Sequence, residues 1–599
     1  MPLLQPIINA AELLYQKGIR EIVISPGSRS APLTLAVIRH GKFRIRVVAD
    51  ERAAGFIALG MAQQSRLEGH FRAVAIICTS GSAVYNLAPA VAEAFFQEIP
   101  LLLLTADRPH EWLGQQDGQT MHQTAVFGAN VKRSYDLPAD YAHPDAAWAI
   151  NRQLNEAVNL TTAAPPGPVH VNVPLREPFY PRADEPFVYE QVRVIDALPT
   201  ETQLPAPVWA DLLDEWQRAD RKLIALGQLP HNPALLAVLG QLSDELGIPI
   251  IGEITANLPR NAPGRFITRT DVFLGSTDRD FRESLRPDLL ITCGLSFVGR
   301  NIKTFLRQHP ARRHWHIGPA TDRIADPFQS LTTLIPAEPL AFLQKLFNDL
   351  DYQRFLQGDD DDDETDPFPY LNRWQSADNQ AAKIVNQTIQ ADLNTPDGSE
   401  WAAVDVVLAA LPTESILHLA NSMPVRYANL CGLEAVQRVA VSANRGVSGI
   451  DGCLSTAIGA ALATDKIVTL LIGDVAFFYD RNGLMPQLVP PNLRVVLLNN
   501  HGGHIFRMID GPGQQPELET YFETDQPLTA ERTAADAGLV YVACGCVADV
   551  PGLLAGFFAA GNRAKLLEIK TDKFVNQAGF RQFKQRVADE RAYGNSTQS

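Results

Sequence analysis

The stretch LLIGDVAFFYDRNGLMPQLVPPNLRVVLLNNHGGHIF, residues 470–506, contains two short apolar runs that each end in a polar pair. IVTLLI (467–472) precedes Gly473-Asp474, and RVVLL (494–498) precedes Asn499-Asn500. Short apolar runs rich in branched residues are typical of buried strands in a parallel sheet. The stretch therefore predicts an open α/β sheet with both polar pairs at the carboxyl ends of strands, where such sheets bind ligands.

Asp474 and Asn500 are predicted to form a metal site at that edge of the sheet. Carboxylate and amide oxygens suit Mg²⁺, which proteins usually hold with one or two carboxylates and phosphate oxygens. Glycines at 473, 502 and 503 let the backbone approach a phosphate closely. Two ordinary strand ends are the alternative, and the Gly-Asp pair alone would favour it. The Asn-Asn pair and the glycines directly behind it favour a metal-bound phosphate instead.

Composition narrows the class of protein. The 599 residues predict about three or four domains, with 46% hydrophobic and 20% charged residues, as in globular proteins. The net charge of −15 argues against nucleic-acid binding. Six scattered cysteines predict reduced, buried thiols in a cytoplasmic protein. No signal peptide is recognised, and no apolar run is long enough to span a membrane.

Alternating strands and helices predict three doubly wound α/β domains with parallel sheets. In the first ~180 residues the predicted strands are EIVIS (21–25), RIRVVAD (44–50), AVAIICTS (73–80), PLLLLTAD (100–107) and PVHVNVP (168–174). KLIALG, IPIIGE and DLLITCG mark a second block, and the opening motif lies in a third. The predicted division is 1–185, a central domain 200–350, an acidic linker 351–375, a third domain 376–575, and a C-terminal helix and tail 576–599.

Two further clusters lie at predicted strand ends. Glu51 follows RIRVVAD and opens the helix ERAAGFIALGMA, where an acidic residue also simply favours a helix N-terminus. The loop from Ser25 to Pro32 leads into another helix, a geometry that binds anions. Arg29 in this loop adds a planar fork suited to a carboxylate, although a surface arginine in a turn is the alternative.

Taken together, these strings resemble thiamine diphosphate (ThDP) enzymes. The Gly-Asp and Asn-Asn-x-Gly-Gly pattern matches their diphosphate-binding domain. SPGSRSAPLTLA, DERAAGFIALGMA, TSGSAVYNL, LLTADRP and SANRGVSGIDG resemble the 2-succinyl-5-enolpyruvyl-6-hydroxy-3-cyclohexene-1-carboxylate (SEPHCHC) synthases of menaquinone biosynthesis. The matches span residues ~20 to ~510, with a looser match in the central domain.

The resemblance implies a cofactor site for ThDP and Mg²⁺ or Mn²⁺. Asp474, the Asn500 side chain and the Gly502 carbonyl would bind the metal, and catalytic Glu51 would hydrogen-bond N1′ of the aminopyrimidine. The other implied cofactor contacts are Ser422, Gly446, Ser448, Gly449, Ile450, Gly473, Val475 and Ala476. Ala476 stands where a hydroxyl residue is common, which removes one diphosphate hydrogen bond.

The resemblance also implies a transferase that decarboxylates 2-oxoglutarate and adds the remaining fragment to isochorismate in a 1,4 sense. Both substrates are carboxylates, so an acidic protein must concentrate arginines at the site. The implied substrate contacts are Ser28, Arg29, Arg108, Gln119, Arg300, Ser422, Arg426, Arg445, Ile505 and Phe506. Gly118 stands where some relatives carry asparagine, and His501 and His504 are assigned no catalytic role.

In this superfamily the cofactor lies between two subunits, which implies a homodimer or homotetramer. Two alternatives remain open. One is another ThDP-dependent decarboxylase or carboligase, which the arginine set disfavours. The other is a catalytically idle ThDP-fold scaffold, which would be expected to have lost Glu51 or the metal ligands.

Overall fold

Three six-stranded sheets, built of parallel strands, organise the part of the chain that the structure describes. The structure is a computed structural model that describes residues 4–589, except 178, 182–184, 199, 201, 261–265, 322, 358–365, 394, 396–397, 486 and 510. Each sheet is flanked by helices, which confirms the predicted fold of three α/β domains.

The first domain contains the strands that the apolar runs predicted and one short edge strand that they did not. Its strands are β1 (Glu21–Ile24), β2 (Arg44–Val47), β3 (Val74–Cys78), β4 (Leu101–Asp107), β5 (Ser134–Asp136) and β6 (Val169–Pro174), in the order β2-β1-β3-β4-β6-β5. Its helices are α1 (Gln5–Gln16), α2 (Ala31–His40), α3 (Glu51–Leu67), α4 (Ser82–Asn86), α5 (Ala88–Phe96) and α6 (Pro144–Thr162).

The central domain has a different strand order. Its strands are β7 (Lys222–Leu226), β8 (Ile250–Gly252), β9 (Phe266–Ile267), β10 (Leu289–Cys293), β11 (Arg313–Gly318) and β12 (Thr333–Pro336), in the order β12-β11-β10-β7-β8-β9. Its helices are α7 (Ala206–Arg218), α8 (Pro233–Leu246), α9 (Thr270–Phe273), α10 (Arg279–Ser284), α11 (Arg300–Gln308) and α12 (Pro339–Gln357). This is the order of dinucleotide-binding folds, whose switch point lies between β7 and β10.

The third domain repeats the topology of the first. Its strands are β13 (Ile416–Leu419), β14 (Ala440–Ala443), β15 (Val468–Gly473), β16 (Leu493–Asn499), β17 (Val540–Cys544) and β18 (Lys565–Lys570), in the order β14-β13-β15-β16-β18-β17. Its helices are α13 (Pro369–Leu393), α14 (Glu400–Ala409), α15 (Met423–Cys431), α16 (Cys453–Leu462), α17 (Asp474–Tyr479), α18 (Ile505–Met508), α19 (Glu531–Asp536), α20 (Val550–Phe558) and α21 (Lys573–Asp589).

Helices occupy both ends of the segment that was predicted to be a linker. α12 continues to Gln357 and α13 begins at Pro369, so both ends of the predicted linker 351–375 are helical. The acidic run 359–364 at its centre lies outside the described residues, as does the predicted tail after Asp589. Within the described residues, no helix combines the length and apolar character needed to cross a membrane.

The hydrophobic cores cross domain boundaries because the strands of the third sheet alternate between two faces. Val468, Leu470 and Ile472 of β15 join a cluster that also contains Ile57 and Leu103 of the first domain. Leu471, on the other face, belongs to a cluster that contains residues of the central domain. The first and central domains each have a further cluster of their own.

Helix α3 of the first domain packs against α16 of the third with the two backbones in contact. A Cβ atom on Gly60 would lie 1.9 Å from the carbonyl oxygen of Thr456. A Cβ atom on Gly459 would lie 2.0 Å from the carbonyl oxygen of Ile57. No side chain larger than hydrogen fits at either position without moving backbone, so these glycines set the separation of the two helices.

Substituting Gly60 with Ala is expected to destabilise the folded protein by about 3 kcal/mol, because overpacking against a backbone carbonyl forces the helices apart. Urea unfolding followed by circular dichroism would measure the shift in midpoint. Gly556→Ala on exposed α20, where a Cβ atom meets nothing within 4 Å, is the matched control and should be neutral or slightly stabilising. Equal midpoints for both variants would contradict the packing described above.

Candidate active site

The carboxyl ends of four neighbouring strands of the third sheet form the candidate cofactor site. Ser448 follows β14, Ser422 follows β13, Asp474 follows β15 and His501 follows β16. The backbone φ angles of Ser422, Ser448 and His501 are 73°, 65° and 65°, in the left-handed region. Non-glycine residues held in this region cost about 1–3 kcal/mol each and cluster at ligand sites. Three left-handed residues at neighbouring strand ends are therefore consistent with a ligand site at this edge of the sheet.

The structure brings the three predicted metal ligands together. Asp474 is 2% exposed, its Oδ1 accepts from the Val475 amide at 2.7 Å, and its Oδ2 accepts from Nε2 of Gln526 at 2.7 Å. The Gly502 amide donates to Oδ1 of Asn500 at 3.2 Å. The Gly502 carbonyl accepts from the His504 amide at 3.1 Å and retains a second lone pair.

Glu400 adds a second buried carboxylate that the sequence analysis missed. Its Oε1 accepts from Nδ2 of Asn500 at 2.6 Å and from the Thr571 hydroxyl at 3.1 Å. Burial, and then the nearby charge of Asp474, raises the pKa of Glu400 to about 7. The sequence signal was weak, because Glu400 is one of two acids in the helix EWAAVDVVLA and its first position also suits a helix N-terminus.

These oxygens fit a hard divalent cation. Burial raises the pKa of Asp474 to about 6, although hydrogen bonds from Gln526 and Val475 oppose the shift. Two buried carboxylates that disfavour each other's charge gain most from a divalent positive ion between or beside them. A carboxylate, an amide oxygen and a backbone carbonyl are also the ligand types that Mg²⁺ takes.

The loop between β14 and α16 contains half of the other predicted cofactor contacts, namely Gly446, Ser448, Gly449 and Ile450. Nδ2 of buried Asn421 donates to the carbonyls of Asn444 and Gly449, both at 2.7 Å, and so ties two strand-end loops together. Ile450 is half-buried against the core that the first and third domains share. At the start of α17, Gly473 and Val475 are half-buried and Ala476 is buried.

Glu51 is the first residue of α3, as the sequence predicted. Asp50 caps this helix, because its Oδ1 accepts from the amides of Arg52 and Ala53 at 2.9 and 3.2 Å. Nδ2 of Asn86 donates to Oε2 of Glu51 at 3.2 Å. Burial, and then the charge of Glu51, raises the pKa of Cys78, so the Glu51 carboxylate lies close to the carboxyl end of β3.

Arg29 and Arg108 form a cationic cluster at the carboxyl edge of the first sheet. Burial, and then the neighbouring charge of Arg108, lowers the pKa of Arg29, whose guanidinium lies 4.4 Å from the Phe179 ring centroid. Arg108 pairs with Asp117 at 2.5 Å and donates to the Gly118 carbonyl at 3.2 and 3.0 Å. Arg108 contacts only the backbone carbonyl of residue 118, so this hydrogen bond does not depend on whether glycine or asparagine stands there.

The other two predicted contacts of the first domain lie beside this cluster. Ser28 is exposed in the loop before α2. Gln119 is exposed and adopts a left-handed φ of 56°, and its carbonyl accepts from the Ser80 hydroxyl at 2.8 Å.

Arg426 and Arg445 form a second cationic cluster, between the third and central domains. Nη1 of Arg426 donates to the Ser422 carbonyl at 2.6 Å, and Nη1 of Arg445 donates to Oδ1 of Asn421 at 2.8 Å. Burial, and then the charge of Arg426, lowers the pKa of Arg445. Burial also lowers the pKa of Arg426, and the charges of Asp271 and Glu253 partly offset this shift, so carboxylates of the central domain face this cluster.

Arg300 is exposed at the first position of α11, and one buried and one half-buried carboxylate hold the start of that helix. Glu253 accepts hydrogen bonds from the Val298 and Gly299 amides, and Oδ1 of Asp271 accepts from the Asn301 amide at 2.7 Å. Burial raises the pKa of Glu253 to about 7. Sequence reasoning did not assign either acid, because both reach α11 from other elements.

This shift predicts a pH-dependent stability. The folded protein keeps the Glu253 proton at pH values where the unfolded chain has lost it, so this stabilising contribution disappears as pH rises from about 4.5 to about 7. Glu253→Gln should therefore flatten the fall in the free energy of unfolding across that window, by at most ~1.4 kcal/mol per pH unit, as measured by urea unfolding at each pH. Exposed Glu531→Gln is the control, and parallel pH profiles for parent and Glu253→Gln would refute the assignment.

The apolar contacts predicted for substrate follow the metal loop. Ile505 packs against the core of the third and central domains, and the Phe506 ring centroid lies 5.8 Å from that of Phe522. His504 is buried, with Nε2 3.8 Å from Glu523 and 3.7 Å from Asp525. Lys573 lies 3.4 and 3.3 Å from the same two carboxylates and partly neutralises them.

The first and third domains share one topology, and buried oxygen donors lie at strand ends of the third, an arrangement that fits a thiamine diphosphate enzyme. Residues 9–126 match the family model described as "Thiamine pyrophosphate enzyme, N-terminal TPP binding domain". The chain is also similar to curated proteins named 2-succinyl-5-enolpyruvyl-6-hydroxy-3-cyclohexene-1-carboxylate synthase. The chain belongs to this SEPHCHC synthase family, a family of ThDP-dependent transferases.

Three relatives carry that assignment. The Cytophaga hutchinsonii protein is 40% identical over 584 residues, which is 98% of this chain and 99% of the relative. The Phocaeicola vulgatus protein is 35% identical over 577 residues, 95% of each chain. The Porphyromonas gingivalis protein is 36% identical over 568 residues, 94% of each chain. Similarity over nearly the whole length extends the assignment to all three domains.

Proposed function

We propose that this protein decarboxylates 2-oxoglutarate and adds the resulting fragment to isochorismate in a 1,4 sense, giving SEPHCHC and CO₂ for menaquinone biosynthesis in the cytoplasm. The observation that carries the proposal is a pair of arginine clusters in an acidic protein, one at the carboxyl edge of the first sheet and one at that of the third. Planar guanidinium groups bind carboxylates bidentately, and both substrates carry carboxylates.

Asp474, Asn500 and the Gly502 carbonyl are the residues that would hold Mg²⁺ or Mn²⁺ and, through the metal, the diphosphate. When bound, ThDP supplies the carbon nucleophile that side chains lack. The remaining cofactor contacts are proposed to be Ser422, Gly446, Ser448, Gly449, Ile450, Gly473, Val475 and Ala476. The buried pair of Asp474 and Glu400 supports this assignment, because its negative charge favours a divalent cation.

Glu51 is proposed to hold a proton at N1′ of the aminopyrimidine. A carboxylate suits this task because it can share a proton with a weakly basic ring nitrogen. The hydrogen bond from Asn86 leaves Oε1 of Glu51 free for the ring and fixes the direction of the carboxylate.

Substrate carboxylates are proposed to bind to Arg29, Arg108, Arg426 and Arg445. Ser28, Gln119, Arg300 and Ser422 are proposed to add polar contacts, and Ile505 and Phe506 to face the apolar part of isochorismate. The burial of Arg29 and Arg445 supports this role, because partly desolvated guanidinium groups bind anions more strongly than exposed ones.

We further propose that the active unit is a homodimer, in which Glu51 of one subunit serves the Asp474 site of the other. Within one chain, Glu51 lies at the carboxyl edge of the first sheet and Asp474 at that of the third. A second copy would place the two arginine clusters on opposite sides of one cofactor.

A coupled assay with 2-oxoglutarate, isochorismate, ThDP and Mg²⁺ tests the proposed reaction. The expected result is CO₂ release that requires the cofactor and a product whose mass equals that of SEPHCHC. CO₂ release without coupling would identify a simple decarboxylase, and no cofactor-dependent release would refute catalysis altogether. Activity against protein concentration tests the dimer, because a dissociating dimer loses specific activity on dilution.

A further inference from the structure

Glu93 is a lone acid in the apolar helix α5 and is not used by the chemistry proposed above. It is 2% exposed and belongs to the first domain, yet its carboxylate accepts hydrogen bonds from the third domain. Its Oε1 accepts from the Gly446 amide at 2.6 Å, and its Oε2 accepts from the amides of Val447 and Ser448 at 2.8 and 3.2 Å. Three consecutive amides thus converge on one carboxylate.

The backbone of the loop also packs closely against Glu93. A Cβ atom on Gly446 would lie 2.7 Å from the Glu93 carbonyl and 3.0 Å from Oε1 of Glu93. Val447 is 54% exposed, so its side chain does not anchor the loop in a core. Because Ser448 is held at a φ of 65°, the loop needs an outside partner to keep this conformation. Glu93 is the partner that binds the loop's amides, while Asn421 binds the Gly449 carbonyl.

The central domain supports the same loop from its switch point. The Ser296 hydroxyl donates to the Arg445 carbonyl at 2.9 Å. Nε2 of Gln228 donates to the Ala443 carbonyl at 2.9 Å and to Oε1 of Gln97 at 3.2 Å, and Gln97 in turn bonds Glu93. The third domain thus contacts the central domain at the strand ends where this strand order binds dinucleotides.

We propose that Glu93 is a positioning residue that sets the loop 445–449 for cofactor and substrate binding. The proposal rests on the function proposed above for this loop, which contains Arg445, Gly446, Ser448 and Gly449. The carboxylate fixes the amides on one side of the loop, and the guanidinium of Arg445 then projects from a fixed backbone. Burial raises the pKa of Glu93 while the three amide donors oppose the shift.

Hydrogen exchange of the unsubstituted, cofactor-free protein tests the contact without relying on catalysis. Although Val447 is exposed, the amides of Gly446, Val447 and Ser448 should exchange at least tenfold more slowly than their unprotected intrinsic rates. Glu93→Gln should remove most of this protection, since the amide group retains only one acceptor atom. Exchange at intrinsic rates in the unsubstituted protein would overturn the proposal, even if the variant did not fold.

Binding and kinetics then separate positioning from simple stability. Glu93→Gln should raise the Kd for ThDP and the KM for 2-oxoglutarate by about 10- to 100-fold, while kcat at saturation changes less than threefold. Glu93→Asp should recover part of the loss because it keeps the charge. Glu98→Gln, just beyond the same helix and without contact to the loop amides, is the control and should behave as the parent.

Kd and KM values within twofold of the parent for a folded Glu93→Gln protein would overturn the positioning role. Failure of the unsubstituted protein to bind ThDP would instead overturn the proposed function. The exchange experiment still decides whether Glu93 fixes the loop in that case, so the two failures are distinguishable.

Discussion

Replacing Glu51 with Gln is expected to lower kcat for CO₂ release from 2-oxoglutarate by about 10²- to 10⁴-fold, the range lost with a positioned acid or base. Glutamine keeps the size of the side chain and can still accept from Asn86, so the local structure should persist. It cannot hold or release a proton at the ring nitrogen. Steady-state CO₂ release with saturating ThDP and Mg²⁺ gives the rate directly.

Asp50→Asn is the matched control for this substitution. Asparagine is as good an N-cap as aspartate, so α3 should start normally and activity should stay within about threefold of the parent. The Kd for ThDP of the Glu51→Gln protein should also change little, because one hydrogen bond among many contacts is altered. A Glu51→Gln protein with more than a fifth of the parent kcat would show that another group performs the proton transfer.

Replacing Asp474 with Asn should weaken ThDP binding in the presence of Mg²⁺ by at least about 100-fold, since even outer partners of a metal ligand cost 10- to 100-fold. The same change should stabilise the cofactor-free protein near pH 8. At that pH the buried Asp474 carboxylate is charged at a cost, because its folded-state pKa is raised to about 6 and Glu400 lies nearby. The variant should thus melt higher without cofactor and gain nothing from adding it.

Melting temperature with and without ThDP and Mg²⁺ measures both effects at once. Asp465→Asn, exposed just before the amino end of the same strand β15, is the control and should keep the full cofactor-induced gain. A normal gain for Asp474→Asn would remove this residue from the metal site. Lower stability of its cofactor-free form would contradict the electrostatic account.

Most of the fold could be predicted because its strands are buried on both faces and read as continuous apolar runs. β3, β4, β6, β15 and β16 were all predicted this way. β5 and β9 were not, because they are edge strands of three and two residues, and β11–β14, β17 and β18 were not predicted individually. The sequence predicted that the first and third domains are both α/β. It did not predict that they share one strand order, because strand order depends on which strands pair in the folded protein.

The candidate site divides in the same way. Asp474, Asn500 and Gly502 were predicted to lie together because the carboxyl ends of parallel strands share one edge, and the structure places them there. Glu400, Gln526 and Glu93 were missed because each reaches the site from a distant part of the chain. A lone acid in an apolar helix, as in APAVAEAFF, is the one sequence signal that pointed to Glu93.

The shared cores have a consequence for how the chain can be divided. The third sheet buries one face in a cluster with residues of the first domain and the other in a cluster with residues of the central domain. A fragment cut at the predicted boundary near residue 376 would expose to water the parts of both clusters that the other two domains cover, and it should aggregate more readily than the whole chain. Although the three domains follow one another along the chain, the third reaches its full stability only when the first and central domains have folded against it.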